Sequence, residues 1–370
     1  MNSPVSYCDY NATTPVRPLA AAAVAKALAQ GGNASSVHGV GRAARATQEA
    51  ARERLAAAVG AQSRDVIFTS GATEALHRAL DAARGAHDDL IVSSIEHDAV
   101  AEGCAPTDRI ACTPEGVIDL DDLDRALSRA RRPLVAVMLA NNETGVLQPI
   151  AAVARRVREA GGLLLVDAAQ ALGRVDVDAR ALDAAYLVVS SHKLGGPPGA
   201  GALVLAPGAP DAPARRGGGQ EQGRRPGTEN GPAIAGFAAA LETDFLAERS
   251  RVAGLRDAFE AGLLRDHPDA VIFGASADRL PNTSQFALPG LPAETALIAL
   301  DLAGVAMSAG SACSSGKVRP SRVLAAMGVG AALARCAMRA SFGWASTHDD
   351  VARALAALGA ARSRRLAGAA

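Results

Sequence analysis

The first half of this chain sets short, wholly apolar runs between longer amphipathic stretches, and that alternation restricts the fold more than any other feature. The runs fall at residues 66–69, 90–93, 134–139, 163–166, 186–189 and 202–205, with amphipathic stretches such as 76–83 and 150–160 between them. Strands that are apolar throughout must be buried on both faces. Helical crossovers between them give an α/β fold with a mostly parallel sheet covered on both sides. Ligands of such sheets bind beyond the carboxyl ends of the strands.

A Gly/Pro/Arg-rich stretch over residues 207–232 interrupts the pattern, and a long helix is expected from about 233 to 264. The remainder reads as a smaller α/β unit with strands near 271–273, 283–287 and 338–342 and a final helix near 349–366. At 370 residues the chain is long enough for two domains with sizeable cores. Aromatic residues make up only 3% of it, so those cores rest on Ala, Leu and Val. The 38 basic and 38 acidic residues cancel, which argues against broad attraction to nucleic acid or to an anionic membrane. No apolar run approaches the roughly 18–20 residues that span a bilayer. The N-terminal MNSPVSYCDY lacks the basic and apolar segments of a secretory signal, so a cytosolic protein is expected. Cys8, Cys104, Cys112, Cys313 and Cys336 show no CxxC spacing, so neither a zinc site nor a disulfide framework is expected.

The polar motifs follow the apolar runs. In LLLVDAAQ (163–170) a buried strand ends in Asp167, a carboxylate that is costly there unless something cationic meets it. The protonated pyridine nitrogen of pyridoxal phosphate is one such partner; a helix N-cap or a metal ligand is the other reading. VVSSHKLGGPPG (188–199) ends a second strand in His192 and Lys193, within reach of the same cleft, where burial makes a lysine amine nucleophilic. FTSGATEA (68–75) is strand, turn and helix start, a cradle for an anion or simply a capped helix. IEHDAV brings His97 to a further strand end, and LANNETG brings Asn141, Asn142 and Glu143, which also read as a turn. GSACSSG (310–316) differs in kind. Cys313 stands among Ser and Gly with no bulky apolar neighbour, unlike Cys336, and such a thiol is available for attack.

Taken together, these motifs resemble the cysteine desulfurases of the class V aminotransferase superfamily, fold-type I pyridoxal-phosphate enzymes. The resemblance runs from YCDYNATTPV (7–16) and GGNASSVHGVGR (31–42) through FTSGATE, EHDAV, NNETGV, VDAAQ and SSHK to GGGQEQGRRPGTEN (217–230), GSACSS and MRASFG (338–343). It implies a large domain over residues 16–239 with a seven-stranded, mostly parallel sheet. Residues 1–15 and 240–370 then form a small domain carrying the Cys313 segment.

By that resemblance Lys193 is the Schiff-base lysine, Asp167 the partner of the pyridine nitrogen, Gln170 a donor to the ring hydroxyl and His97 the ring-stacking, proton-transferring histidine. Ala72, Thr73, Ser190 and His192 resemble the phosphate-binding set. Thr228 resembles a residue that reaches the phosphate of a neighbouring subunit, which implies a homodimer. Asn142 and Arg339 resemble a clamp for the substrate carboxylate, a task suited to a planar guanidinium. Cys313 resembles the carrier that takes sulfur from L-cysteine as a persulfide, leaves L-alanine, and hands the sulfur to an acceptor protein. Iron–sulfur assembly, tRNA thiolation and a dedicated biosynthetic pathway all fit that last step.

GSACSS resembles the subgroup with an extended cysteine loop. Selenocysteine lyase, transaminase and non-catalytic sulfur-relay readings remain as alternatives. Pro226 stands where the family commonly has Ser, which removes an amide donor and fixes φ. The last expected helix lies close to Ala370, whereas longer relatives carry a tail that docks an iron–sulfur scaffold protein.

Overall fold

The computed structural model describes residues 5–83, 85–211, 217–310 and 321–367. Its strands in chain order are β1 (Ser6–Tyr7), β2 (Val66–Thr69), β3 (Asp89–Ser93), β4 (Asp108–Ile110), β5 (Pro133–Met138), β6 (Leu163–Asp167), β7 (Tyr186–Ser190), β8 (Gly201–Leu205), β9 (Val271–Ile272), β10 (Thr283–Ala287), β11 (Val305–Ala306), β12 (Ser308–Ala309) and β13 (Ala337–Ser341). The main sheet has the order β2-β8-β7-β6-β5-β3-β4. Only β8 runs against the rest, pairing antiparallel with both β2 and β7.

Six of these seven strands coincide with the apolar runs in the sequence. Their residues alternate between two cores, as a period of two requires. Val135, Val137, Leu187 and Val189 face one core with Leu55, Val153 and Phe237 from the covering helices. Leu134, Ala136, Tyr186 and Val188 face the other, with Leu76 and Ala79. The exception is β4, an edge strand of sequence DRI in which only Ile110 is buried, so it leaves no apolar run to read.

A second sheet, β12-β13-β10-β9, is antiparallel. On β13, Met338 and Ala340 point into a core with Phe259, Phe286 and Phe342. Arg339, between them, therefore faces the other way, and this sends a charged side chain toward the carboxyl edge of the main sheet.

The long helix expected over 233–264 is two helices, Gly231–Ala240 and Phe245–Asp266. Asp244 caps the second by accepting from the Ala247 amide at 3.2 Å, and Phe245 lies 5.5 Å from the Arg17 guanidinium. That local cap and ring contact restart the chain in a new direction, which the apolar spacing alone does not register.

The Gly/Pro/Arg-rich stretch is held by a buried ion pair. Arg52, on the helix Gly39–Ala58, grips the Glu221 carboxylate with both guanidinium nitrogens, at 2.6 and 2.7 Å. Gln48 and the Phe68 amide complete the shell around it. Glu221 and Gln222 both hold positive φ, at 48° and 60°, a conformation that these contacts sustain. Removing one partner of a buried pair strands the other. Arg52→Ala is accordingly expected to destabilise the protein by roughly 3–5 kcal/mol in urea unfolding. A loss below about 1 kcal/mol contradicts this account of the loop.

Candidate functional site

The carboxyl ends of β2, β3, β5, β6 and β7 share one edge of the main sheet, so the polar residues that follow each strand are gathered there. A cavity of about 460 Å3 opens at that edge. Ala72, Thr73, His97, Asn142, Asp167, Gln170, Ser190, His192, Lys193 and Arg339 all line it. Thr228 does not; it is exposed to solvent in the chain that carries it. Cys313 lies outside the described residues. A cavity of similar size, about 450 Å3, opens beside Leu163 and Leu205, where Arg158 pairs with Asp183, and none of the anticipated residues reaches it.

Lys193 ends a short turn after β7. Its carbonyl is held by Thr14 Oγ1 at 2.8 Å and Arg174 Nη2 at 3.0 Å, and its Nζ donates to the carbonyls of Asn11 (2.6 Å) and Ala12 (2.9 Å). Gln170 Nε2 donates to the same Asn11 carbonyl at 3.0 Å. Two residues singled out far apart in the sequence thus meet on one oxygen. The Gln170 carbonyl oxygen is taken by Arg174, which leaves the amide as its donor end.

Asp167 closes β6 and lies beside Met138 of β5 and Val188 of β7. Burial pushes its carboxyl above the usual range. The Ala169 amide at 2.8 Å and the electrostatic influence of the neighbouring His97 and Lys193 work against that rise. The His97 ring accepts from the Ala99 amide through Nδ1 at 3.1 Å, so its other nitrogen carries the proton. His192 is pushed down to about 4 by burial and then by the charges of Lys193 and Arg174, so it is neutral at physiological pH.

At the opposite side of the cavity the helix Ala72–Ala82 begins at Gly71, with its first amides free of helical partners. Gly201 of β8 must be glycine there, because a Cβ would come within 2.7 Å of the Gly71 backbone. Ser190 Oγ is buried and has no hydrogen-bond partner in the protein. An anion placed here finds both the orphaned hydroxyl and the positive helix end. Arg225 braces this end through Glu74 at 2.9 Å.

Arg339 is 1% exposed. It donates to the Asn142 carbonyl at 2.8 Å and to Asp9 at 2.7 Å, while its Nε is buried without a partner. Asn141 behaves as a turn residue, accepting from the Glu143 and Thr144 amides. Gly145 follows at φ 77°, and a Cβ there would meet Thr283 at 2.8 Å.

The donor set fits pyridoxal phosphate. A buried carboxylate meets a ring cation, a helix end and an unpaired hydroxyl meet a phosphate, and the Lys193 amine meets an aldehyde. Sequence reasoning missed Asn11, Arg174 and Glu96. Asn11 donates to Asn142 and Thr283 and accepts from Asn282, tying the N-terminal segment to both sheets. Arg174, lowered to about 9 by burial and by the charge of Arg339, braces Tyr10, Gln170 and Lys193. The partners that bring them into the site (Asn142 and Thr283 for Asn11, Tyr10 for Arg174, Met138 for Glu96) lie far away in sequence, so no local pattern marks them.

Comparison with known proteins agrees with this geometry. The family model "Aminotransferase class-V" matches residues 6–354. A cysteine desulfurase of Gluconacetobacter diazotrophicus is 39% identical over 365 residues, 94% of this chain and 91% of that protein. The cysteine desulfurase IscS of Dictyoglomus turgidum is 38% identical over 367 residues, covering 93% and 91%. Among solved structures, a NifS-like protein from Rickettsia africae superposes with a TM-score of 0.88 at 31% identity, over 98% of this chain and all of the other.

Glu96 carries a prediction of its own. It is fully enclosed beneath His97, where its carboxyl accepts from Ser93 Oγ at 2.5 Å and from the Met138 amide at 2.8 Å. Burial, reinforced by the neighbouring Asp167, pushes it up to about 8. Between the ordinary value for a glutamate and about 8, the folded state therefore holds a proton that the unfolded state has lost. Stability falls as pH rises through that window and levels off above it. Glu96→Gln has no carboxyl proton to lose, so urea unfolding should show it gaining about 4 kcal/mol relative to wild type between pH 5 and pH 9. Parallel stability curves for the two proteins contradict the assignment.

Proposed function

The chain belongs to the class V aminotransferase family, and from that membership we propose that it is a pyridoxal-phosphate-dependent cysteine desulfurase that turns L-cysteine into L-alanine and captures the sulfur on Cys313. The observation that carries the reading is the convergence of Lys193 and Gln170 on one carbonyl, in a cavity walled by Asp167, Ser190 and Arg339. Residues 16–239 would form the cofactor-binding domain, with 1–15 and 240–370 as the smaller one.

When bound, the cofactor supplies an electron sink that makes the substrate's α-hydrogen acidic. Asp167 would hold the ring nitrogen in its protonated state. His97 would pack on the ring, and Gln170 Nε2 would donate to the ring hydroxyl. Ser190, neutral His192 and the amides of Ala72 and Thr73 would hold the phosphate. Lys193 Nζ, now between two carbonyls, is the group within reach to take the α-proton and later return it. Arg339, with its spare Nε, and Asn142 would orient the substrate carboxylate.

The Cys313 thiolate then attacks the substrate sulfur. A sulfur–sulfur bond forms as the carbon–sulfur bond breaks, the bonding pair stays with the substrate carbon, and protonation there gives alanine. Two features support further parts of the reading. Thr228 is exposed and absent from the cavity of its own chain, as suits a residue that serves the site of a second copy in a homodimer. No helix among the described residues is long and apolar enough to cross a membrane, which is compatible with a cytoplasmic enzyme. The persulfide would pass to an acceptor protein.

The test is Cys313→Ala. The variant should keep its cofactor absorbance and its spectral response to L-cysteine, while sulfide release under reducing conditions falls by at least a hundredfold, a barrier increase of about 2.7 kcal/mol. A persulfide found by mass spectrometry on Cys8, Cys104, Cys112 or Cys336 overturns the assignment of the nucleophile.

A further inference from the structure

Glu143 belongs to the NNETG turn but has no part in the reading above. It is nearly buried at 8% exposure. Its Oε2 accepts from Ser321 Oγ and, at 3.2 Å, from Gln285 Nε2. Both partners lead to the borders of the segment 311–320. Ser321 is the first described residue after it, and its hydroxyl also caps the helix Arg322–Ala326 by accepting from the Leu324 amide at 3.0 Å. Gly310 is the last described residue before it. Its amide donates to Ala337 at 3.0 Å, and a Cβ at Gly310 would stand 3.0 Å from Gln285 Nε2. Gln285 is the cross-strand partner of Arg339. The Glu143 backbone, in turn, follows Asn142, whose carbonyl receives Arg339. One carboxylate therefore joins the substrate-facing wall to both borders of the segment that contains Cys313.

We propose that Glu143 is a positioning residue, whose ionised carboxylate fixes Ser321 and Gln285 so that the Cys313-bearing segment starts and ends in register with the substrate-binding wall. The inference rests on the desulfurase reading. A structural brace needs no charge, and an apolar or amide side chain could fill the same space. A carboxylate gives the stronger bond to a hydroxyl, and it does so only while ionised. Burial pushes Glu143 up to about 7. The bonds from Ser321 and Gln285 and the charges of Arg339 on β13 and Arg322 on the following helix oppose that rise. The clasp thus gains its charge as pH rises through neutrality. Arg322 ties the same helix to the His97 side of the cavity, through Asp98 at 2.6 Å and Glu102 at 3.0 Å. With Glu143 neutral, that exposed link and the apolar packing of Val323 and Leu324 against Ile95 and Phe273 remain, but neither fixes the Ser321 hydroxyl.

The experiment compares the holoenzyme with Glu143→Gln and, as a second approach to the same bond, Ser321→Ala. Single-turnover persulfide formation on Cys313 is followed by alkylation and mass spectrometry at pH 6 and pH 8. Amide hydrogen exchange across residues 321–327 is measured in the same samples. At pH 8 Glu143→Gln should form the persulfide roughly fivefold more slowly than wild type and exchange faster at 321–327. At pH 6, where wild type has lost the charge, the two should converge. Ser321→Ala should show the pH 8 defect, and it carries the test if Glu143→Gln does not fold. Equal persulfide rates for wild type and both variants at pH 8, or unchanged exchange at 321–327, overturn the proposal. Wild type that responds to L-cysteine yet leaves no sulfur on Cys313 refutes the desulfurase reading instead, so the two failures are distinguishable.

Discussion

A carboxylate at the enclosed end of a parallel strand is hard to accommodate, and the arrangement around Asp167 is what makes it tenable. Burial drives its carboxyl toward the neutral form, and the Ala169 amide, His97 and Lys193 act against that drive. Each of these groups arrives from a different strand end or from the loop that follows it. They can be gathered only because the chain crosses over by helices and returns in the same direction, leaving six carboxyl ends on one edge. The chemistry of the cavity thus follows from the direction of the strands.

The rest of the molecule holds that edge in place. The N-terminal segment crosses it as a strap. Asn11 bonds to the NNETG turn and to β10 with its side chain, and to Lys193 and Gln170 with its carbonyl. Arg174 braces the strap from below at Tyr10. Across the cavity, the alternation of β13 turns Arg339 away from its own aromatic core and toward the substrate side. One buried arginine therefore belongs to the small sheet by backbone and to the large sheet's cavity by side chain.

Much of this was legible in the sequence. Six strands of the main sheet announced themselves as apolar runs, and nine of the ten anticipated residues that line one cavity do so because each follows such a run; the tenth, Arg339, comes from β13 of the small sheet. What was not legible depends on partners far apart in the chain. Arg52 and Glu221 are 169 positions apart, and nothing near either one signals their pairing. Glu96 reads as an ordinary acidic neighbour of His97 until β5 is laid beside it. The break between Ala240 and Phe245 hid within apolar spacing that suits one helix as well as two. Edge strand β4, with a single buried residue, offers no pattern at all.

The central claim is that Lys193 forms the covalent attachment to the cofactor, and the composition of the chain makes it unusually easy to check. Lys26, Lys193 and Lys317 are its only lysines. Borohydride reduction of the purified holoenzyme, followed by peptide mass spectrometry, should place the pyridoxyl mass on the peptide containing Lys193 and leave Lys26 and Lys317 unmodified. Reduction that labels either of those two instead, or labels none of the three, would contradict the account.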